Sequence, residues 1–155
     1  MIIHFICRGN AHRTIMAQAY LNSLDIDGVT ALSSGTVADE GRQANIGPLR
    51  DTLHMLENIG IRQYAKTQPE QLDQSRVDQA DITILMNEIV RSECEKIVTL
   101  PENTIIWDID DTNEGKRILQ DGDPDNKYDK EIYQEIKSNV DSLMQRLGLV
   151  TSDRI

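Results

Sequence analysis

Cysteine is scarce in this sequence: only Cys7 and Cys94 occur among 155 residues. Two thiols cannot build the disulfide framework of a small secreted protein. The six residues before Cys7 are too few for the apolar core of a signal peptide. Apolar runs are also short, since residues 82–86 fall far below the roughly 20 residues that cross a bilayer. We therefore expect a protein of the reducing cytoplasm with no membrane segment and no membrane partner.

Basic residues are outnumbered as well. Lys and Arg number 16 against 26 Asp and Glu, which gives a formal net charge of -10. This excess of acids argues against a nucleic-acid partner held by the overall field of the protein, because phosphate backbones are bound by excess Lys and Arg. Neither internal repeats nor a linker of biased composition interrupts the chain. We expect one globular domain, residues 1–155.

Short apolar runs alternate along the chain with segments of helical periodicity. The predicted strands are residues 2–6, 29–34, 82–86 and 104–107. Helices are predicted to begin near residue 14, within residues 69–79, at Asn87 and at Tyr128, and a further helix has Pro48 in its first turn. This alternation predicts an α/β fold with a four-stranded parallel sheet and helices on both faces. The loops beyond the carboxyl ends of the strands then form the ligand crevice, which directs attention to the loop after the first strand.

That loop places a thiol, Cys7, at the end of the first strand, Arg13 six residues later and the hydroxyl of Thr14 at the start of a helix. Backbone N–H groups of a tight loop that enters a helix converge on one point and attract an anion. The planar guanidinium of Arg13 suits a tetrahedral oxyanion. The same dipoles stabilise a Cys7 thiolate. The loop is therefore predicted to bind an anion and to attack it.

The candidate substrate-binding residues are those that line the loop: Arg8, Gly9, Asn10, Ala11, His12 and Thr14. We expect Thr14 to donate a hydrogen bond to the thiolate. Asn10 can hold a strained turn, because asparagine tolerates positive φ and its side chain bonds to nearby backbone. His12 borders the predicted anion site and is interpreted as structural or peripheral. Neither a metal nor a cofactor is expected, since Arg13 and the loop amides can stabilise the charge.

The segment resembles the phosphate-binding loop of the low-molecular-weight protein tyrosine phosphatases, whose pattern is Cys-x-Gly-Asn-x-Cys-Arg-Ser. The matching positions are Cys7, Gly9, Asn10, Arg13 and, conservatively, Thr14; weaker matches follow at residues 16–18, 33–36, 58–61 and 80–86. His12 replaces the second Cys of many members, and Ile15 replaces the usual Pro. The resemblance implies hydrolysis of a phosphorylated protein or small phosphomonoester through a cysteinyl-phosphate.

Such an enzyme also needs an acid to protonate the leaving oxygen. In the family this acid is an Asp, followed by Pro and an aromatic residue, in the loop after the fourth strand. Asp111 matches it best by position, with Asp123, which precedes Pro124, and Asp110 as alternatives. The aromatic pair that would enclose a phosphotyrosine ring is missing. Trp107 and Tyr128 are the candidate substitutes, although a Trp at a strand end is more typical of a core.

Two other functions remain open. Arsenate reductases that use thioredoxin share the same loop and attack arsenate with its cysteine. They need further thiols to resolve the adduct, which here means Cys94 or an external thiol such as thioredoxin or glutaredoxin. The third hypothesis is a non-catalytic module that binds phosphate or another anion but lacks an effective acid. The phosphatase interpretation accounts for most of the sequence pattern.

Overall fold

The computed structural model describes residues 1–109 and 127–149. Four parallel strands form one sheet in the order β2-β1-β3-β4: β1 Ile2–Cys7, β2 Thr30–Gly35, β3 Ile82–Leu85 and β4 Ile105–Ile106. The helices are α1 Arg13–Ser23, α2 Ile46–Asn58, α3 Gln74–Gln79, α4 Glu88–Glu95 and α5 Lys127–Arg146, with a 3-10 helix at Arg62–Tyr64. The α/β fold with a four-stranded parallel sheet is confirmed.

The pleat of β1 divides the apolar core between the two faces of the sheet, because successive side chains of a strand point in opposite directions. Ile3, Phe5 and Cys7 face the front core, which is filled mainly from α1, α2 and α5. Ile6 faces the rear core together with residues of α3 and α4, including Cys94. Helices therefore cover both faces, as the sequence predicts.

Local signals explain where the helices begin and end. Helix α2 begins at Ile46 and Pro48 lies in its first turn, as predicted, where a missing N–H breaks no helical bond. Gly60 follows the end of α2 at φ 86°, a conformation that glycine adopts without strain. Asn87 caps α4, since its side chain accepts a hydrogen bond from the N–H of Val90 at 3.1 Å.

Within the described residues, no helix is both long and apolar enough to cross a membrane. The fourth strand is shorter than predicted. It pairs with β3 only through Ile84–Ile105 and Leu85–Ile106, so it is an edge strand with few ladder bonds. The acidic loop predicted after it lies mostly outside the described residues.

A buried histidine in β1 makes the stability of the fold depend on pH. The side chain of His4 is fully buried, and its Nε2 contacts Ser34 Oγ. Burial, with the nearby charges of Lys66 and Arg76, lowers the pKa of His4 from 6.5 to about 4. The folded state thus keeps this imidazole neutral at pH values where an unfolded chain would protonate it.

We predict that stability falls as the pH drops from 6.5 to 4, because the unfolded state takes up the His4 proton first. Over that whole window His4 accounts for a loss of about 3 kcal/mol. Urea unfolding of the wild type and His4→Gln at several pH values measures this loss. The free energy of unfolding should fall less steeply with decreasing pH in the variant. His54→Gln, at an exposed position of α2, is the matched control and should keep the wild-type slope. Parallel declines in wild type and His4→Gln would contradict this.

Candidate active site

The loop between β1 and α1 lies at the carboxyl end of the sheet, where the chain connectivity changes direction. The next strand along the chain, β2, pairs on one side of β1, and β3 pairs on the other. In open parallel sheets this switch point is where ligands bind. Cys7 ends β1 and Arg13 begins α1, so residues 8–12 form the whole connection.

Asn10 holds the shape of this loop. Its backbone has φ 55°, and its side chain is fully buried. The amide nitrogen Nδ2 donates to Thr14 Oγ1 at 2.8 Å and to Ser33 Oγ at 3.0 Å. The amide oxygen Oδ1 accepts from the backbone N–H of Glu70 at 2.8 Å. Both expectations for Asn10, a positive φ and anchoring side-chain bonds, are confirmed.

The sulfur of Cys7 is surrounded by hydrogen-bond donors. The backbone N–H of Asn10 donates to Sγ at 3.3 Å, and Thr14 Oγ1 lies 3.1 Å from Sγ. Thr14 Oγ1 already accepts from Asn10 Nδ2, so its own proton can be directed at the sulfur. The sulfur therefore has hydrogen-bonding neighbours from both the loop and the start of α1. The expected contact between Thr14 and Cys7 is therefore present.

Arg13 connects the loop to the segment that follows β4. It is buried, with 3% of its surface exposed, and its Nη1 donates to the carbonyl oxygen of Ile109 at 3.1 Å. The same carbonyl accepts from Asn87 Nδ2 at 3.2 Å. Ile109 is itself fixed, since its N–H donates to the carbonyl of Met86 at 2.8 Å. The two loops on which the sequence places the chemistry are thus joined through one guanidinium.

Arg8 and Gly9 make the contacts on the other side of the loop. The Nε of Arg8 donates to both carboxylate oxygens of Glu93, at 3.0 and 3.1 Å, which ties the loop to α4. Gly9 packs against Asn45, because a Cβ at position 9 would lie 2.7 Å from Asn45 Nδ2 and would require that side chain to move. At the end of β2, a Cβ on Gly35 would lie 2.4 Å from the carbonyl oxygen of Arg8. Backbone packing therefore requires glycine at position 35.

His12 lies inside the protein. It is 5% exposed, and its Nε2 lies 3.0 Å from Oδ1 of Asp129 in α5, which is also buried. This position supports the structural interpretation of His12. Ala11 is equally buried, at 3% exposed. The contact joins the start of α1 to α5.

The candidate acids Asp110, Asp111 and Asp123 lie outside the described residues. Trp107 is buried, and its ring centroid lies 5.7 Å from that of Phe5. It is therefore part of the front core, as a strand-end Trp usually is. No group of three His, Cys, Asp or Glu side chains that could hold a metal occurs in residues 1–109 and 127–149.

Sequence reasoning missed the residues that support the loop: Ser33, Asn45, Glu70 and Glu93. All four are polar, and three of them bond to loop residues through contacts that span 23, 60 and 85 positions of the chain. The available signal was a pair of serines in a strand, residues 33 and 34, which are both buried. Buried hydroxyls need hydrogen-bond partners, so they indicate a polar network behind the loop.

The second cysteine has a different environment. Cys94 is fully buried in the rear core, on the other side of the sheet from the Cys7 side chain. Burial, reinforced by the negative charges of Glu93 and Glu95, raises the pKa of Cys94 to about 12. Both thiols are free. A thiol that stays protonated in an apolar core is a poor nucleophile.

The fold and the loop together define an α/β protein with a strand–loop–helix connection at the switch point of its sheet. The model of the family "Low molecular weight phosphotyrosine protein phosphatase" matches residues 2–151. The chain belongs to this family, whose members are phosphatases that act on phosphorylated substrates. No sequence among curated proteins matches the chain significantly.

Solved structures of phosphatases and arsenate reductases share the fold. Wzb from Vibrio vulnificus, in complex with benzylphosphonate, has a TM-score of 0.70 at 18% identity and covers 94% of this chain and 97% of its own. The arginine phosphatase YwlE from Geobacillus stearothermophilus has a TM-score of 0.64 at 25% identity, covering 95% and 92%. An arsenate reductase from Archaeoglobus fulgidus has a TM-score of 0.61 at 22% identity, covering 92% and 98%.

Asn10 contributes to stability in two ways, through its backbone conformation and through the hydrogen bonds of its side-chain amide. We predict that Asn10→Ala lowers the free energy of unfolding by about 2–4 kcal/mol, because it removes three buried hydrogen bonds and places Ala at positive φ. Asn10→Gly loses the same bonds without the strain and should be about 1 kcal/mol more stable than Asn10→Ala. Chemical denaturation of both variants provides the comparison.

Asn58, at the end of α2 and exposed, is the matched control. Inside a helix Ala is favoured over Gly by up to about 1 kcal/mol, so the order of the two substitutions should reverse there. If Ala were more stable than Gly at both positions, positive φ would not contribute at Asn10.

The burial of Cys94 leads to a prediction about the reactivity of its thiol. In a Cys7→Ser variant, Cys94 is the only thiol, and iodoacetamide at pH 8 should leave it unmodified while the protein is folded, because its pKa is about 12. After unfolding in urea the same thiol should react completely. Mass spectrometry of both samples gives the count of added groups. Fast labelling of the folded variant would show that Cys94 is accessible and would restore it as a resolving thiol.

Proposed function

We propose that this protein hydrolyses phosphomonoesters through a cysteinyl-phosphate intermediate on Cys7. The observation that carries the proposal is the environment of the Cys7 sulfur. Cys7 is the last residue of β1, and its Sγ lies 3.3 Å from the Asn10 backbone nitrogen and 3.1 Å from the Thr14 hydroxyl oxygen. Arg13 lies on the same loop. Membership of the phosphotyrosine phosphatase family supports the same chemistry.

In the first step, the Cys7 thiolate attacks phosphorus, and the bond from phosphorus to the ester oxygen breaks. The leaving oxygen takes a proton from a carboxylic acid, for which Asp111 is our candidate. Backbone N–H groups of residues 8–13 and the guanidinium of Arg13 stabilise the charge on the other phosphate oxygens. The remaining lining residues, Ala11 and His12, contribute to this cradle through their backbone.

In the second step, water attacks the phosphorus of the cysteinyl-phosphate. The Asp111 carboxylate takes a proton from that water, and the sulfur–phosphorus bond breaks to release inorganic phosphate. Cys7 leaves as a thiolate, which the Thr14 hydroxyl stabilises by its hydrogen bond. No step needs a metal, because Arg13 and the loop amides supply the positive charge.

The substrate we propose is a phosphorylated protein or a small phosphomonoester. Phosphotyrosine is the substrate class that the family name implies. Trp107 is packed against Phe5 in the core, so it is not an aromatic wall for a phosphotyrosine ring. Recognition of a protein substrate must then use other surfaces near the loop.

The observations on Cys94 count against an arsenate reductase that resolves its adduct within the chain. Such a reductase needs a second reactive thiol near the first, whereas Cys94 is buried in the rear core. Parallel assays separate the three functions: p-nitrophenyl phosphate turnover, and arsenate reduction with thioredoxin or glutaredoxin. Turnover of the ester alone supports the phosphatase. Arsenate reduction alone supports a reductase that uses an external thiol, and inactivity in both assays supports the anion-binding module.

Substitution of the two loop residues tests the mechanism. Cys7→Ser should abolish p-nitrophenyl phosphate turnover yet retain vanadate binding, because the oxygen is a much weaker nucleophile in the same cradle. Arg13→Lys should lower kcat by about 10²–10³-fold, since an ammonium cannot form the bidentate fork. A chelator should leave wild-type activity unchanged, and Cys94→Ala serves as the cysteine control. Normal turnover by Cys7→Ser would refute the cysteinyl-phosphate.

The choice of acid is tested with two kinds of ester. Asp111→Asn should slow hydrolysis of alkyl phosphates by about 10²–10⁴-fold but spare esters with good leaving groups, which need little protonation. Asp123→Asn and Asp110→Asn, at the two alternative positions, should have little effect on either kind of ester. The reverse ranking would identify Asp123, next to Pro124, as the acid.

A further inference from the structure

A groove of about 500 Å³ lies between the first half of α2 and the segment after the 3-10 helix. Ile46, Leu49 and Leu53 of α2 supply its apolar lining. The side chain of Ile46 is 55% exposed there, whereas Leu49 and Leu53 are buried beneath it. The groove thus offers an accessible apolar surface on a firmly packed helix.

The charge of this groove is opposite to that of the whole protein. Arg42, Arg50 and Arg62 line it, and no Asp or Glu is among its described lining residues. The chain as a whole has 26 acids and 16 bases. A second groove of about 430 Å³ mixes both signs, with Arg91 beside Glu95 and a further glutamate. Only cations therefore face a ligand in the first of these two grooves.

The three arginines differ in their partners, since Arg42 also donates to the carbonyl oxygen of Pro69 at 3.4 Å. Each one pairs with a carboxylate outside the groove: Arg42 with Asp39 at 2.8 Å, Arg50 with Asp51 at 3.9 Å, and Arg62 with Glu57 at 3.4 Å. All these side chains are 46% exposed or more. Exposed ion pairs of this kind contribute little to stability. The guanidinium groups of Arg50 and Arg62 can therefore turn to a ligand carboxylate at small cost.

Both walls of the groove touch the phosphate-binding loop. Asn45 lines the groove, and its Nδ2 would lie 2.7 Å from a Cβ on Gly9. On the opposite wall, Pro69 is followed directly by Glu70, whose N–H donates to Asn10 Oδ1 at 2.8 Å. The groove therefore lies next to the loop that would hold the phosphorylated residue.

We propose that this groove binds an acidic segment of a phosphorylated protein substrate, next to the residue whose phosphate the loop holds. The inference rests on the proposed phosphatase function and adds the substrate class. Ligand carboxylates pair with the arginines, for which guanidinium geometry is well suited. An apolar ligand side chain packs on Ile46. An extended peptide advances about 3.3 Å per residue, so a few residues beside the phosphorylated one are enough.

Two phosphotyrosine peptides test the proposal, one with Asp and Glu on both sides of the phosphotyrosine and one with Asn and Gln in their place. The wild type should prefer the acidic peptide by about tenfold in kcat/KM, mainly through KM. Arg50→Glu combined with Arg62→Glu should remove that preference. Hydrolysis of p-nitrophenyl phosphate, which is too small to reach the groove, should change less than twofold.

The matched control is Arg91→Glu combined with Arg146→Glu, which changes the net charge equally at exposed positions of α4 and α5. It should keep the preference. Equal losses in both double variants would overturn the proposal in favour of a long-range charge effect. A wild type that hydrolyses p-nitrophenyl phosphate but ignores peptide charge would also overturn it.

Failure of the proposed function gives a different pattern. In that case neither peptide nor p-nitrophenyl phosphate is hydrolysed, and the groove is judged by fluorescence anisotropy with the unphosphorylated acidic peptide. Binding that is lost in Arg50→Glu/Arg62→Glu and kept in the control supports the groove as an acidic-peptide site. No binding to the wild type would overturn it.

Discussion

The buried amide of Asn10 is the point where three separate parts of the chain meet. It bonds to Thr14 at the start of α1, to Ser33 in β2 and to the backbone of Glu70 before α3. A buried amide must satisfy its donors and acceptor within the protein. Displacement of any one of these three segments therefore disturbs the turn that directs the Asn10 N–H at Cys7. The local geometry around the sulfur depends on packing well beyond the loop.

Residues close in sequence were easier to predict than residues brought together by the fold. The strands follow from short apolar runs, and the strand–loop–helix arrangement of Cys7, Arg13 and Thr14 follows from spacing alone. Asn10 could be assigned its positive φ because few residue types accept it. Glu93 could not be assigned to Arg8, since the two are 85 residues apart and only the packing of α4 brings them together. Pro48 could be assigned to the first turn of α2 from the sequence, because a Pro there breaks no helical hydrogen bond.

The two cysteines show how the environment determines thiol chemistry. Cys7 lies at a strand end with an N–H and a hydroxyl beside its sulfur. Cys94 lies among aliphatic side chains, and burial raises its pKa to about 12. Both are nearly inaccessible to solvent, so exposure alone does not distinguish them. The difference is the presence of hydrogen-bond donors that can stabilise a negative charge.

The alternation of side chains along β1 has a consequence for the accuracy of folding. Phe5 and Cys7 face the front core, while Ile6 between them faces the rear. A shift of β1 by one residue against β2 and β3 would turn the thiol away from the loop. It would also move each apolar side chain of β1 to the opposite face of the sheet. Misregistered chains thus misplace the thiol and lose stability at once. Selection for a well-packed sheet therefore also selects against folded molecules with a misplaced thiol.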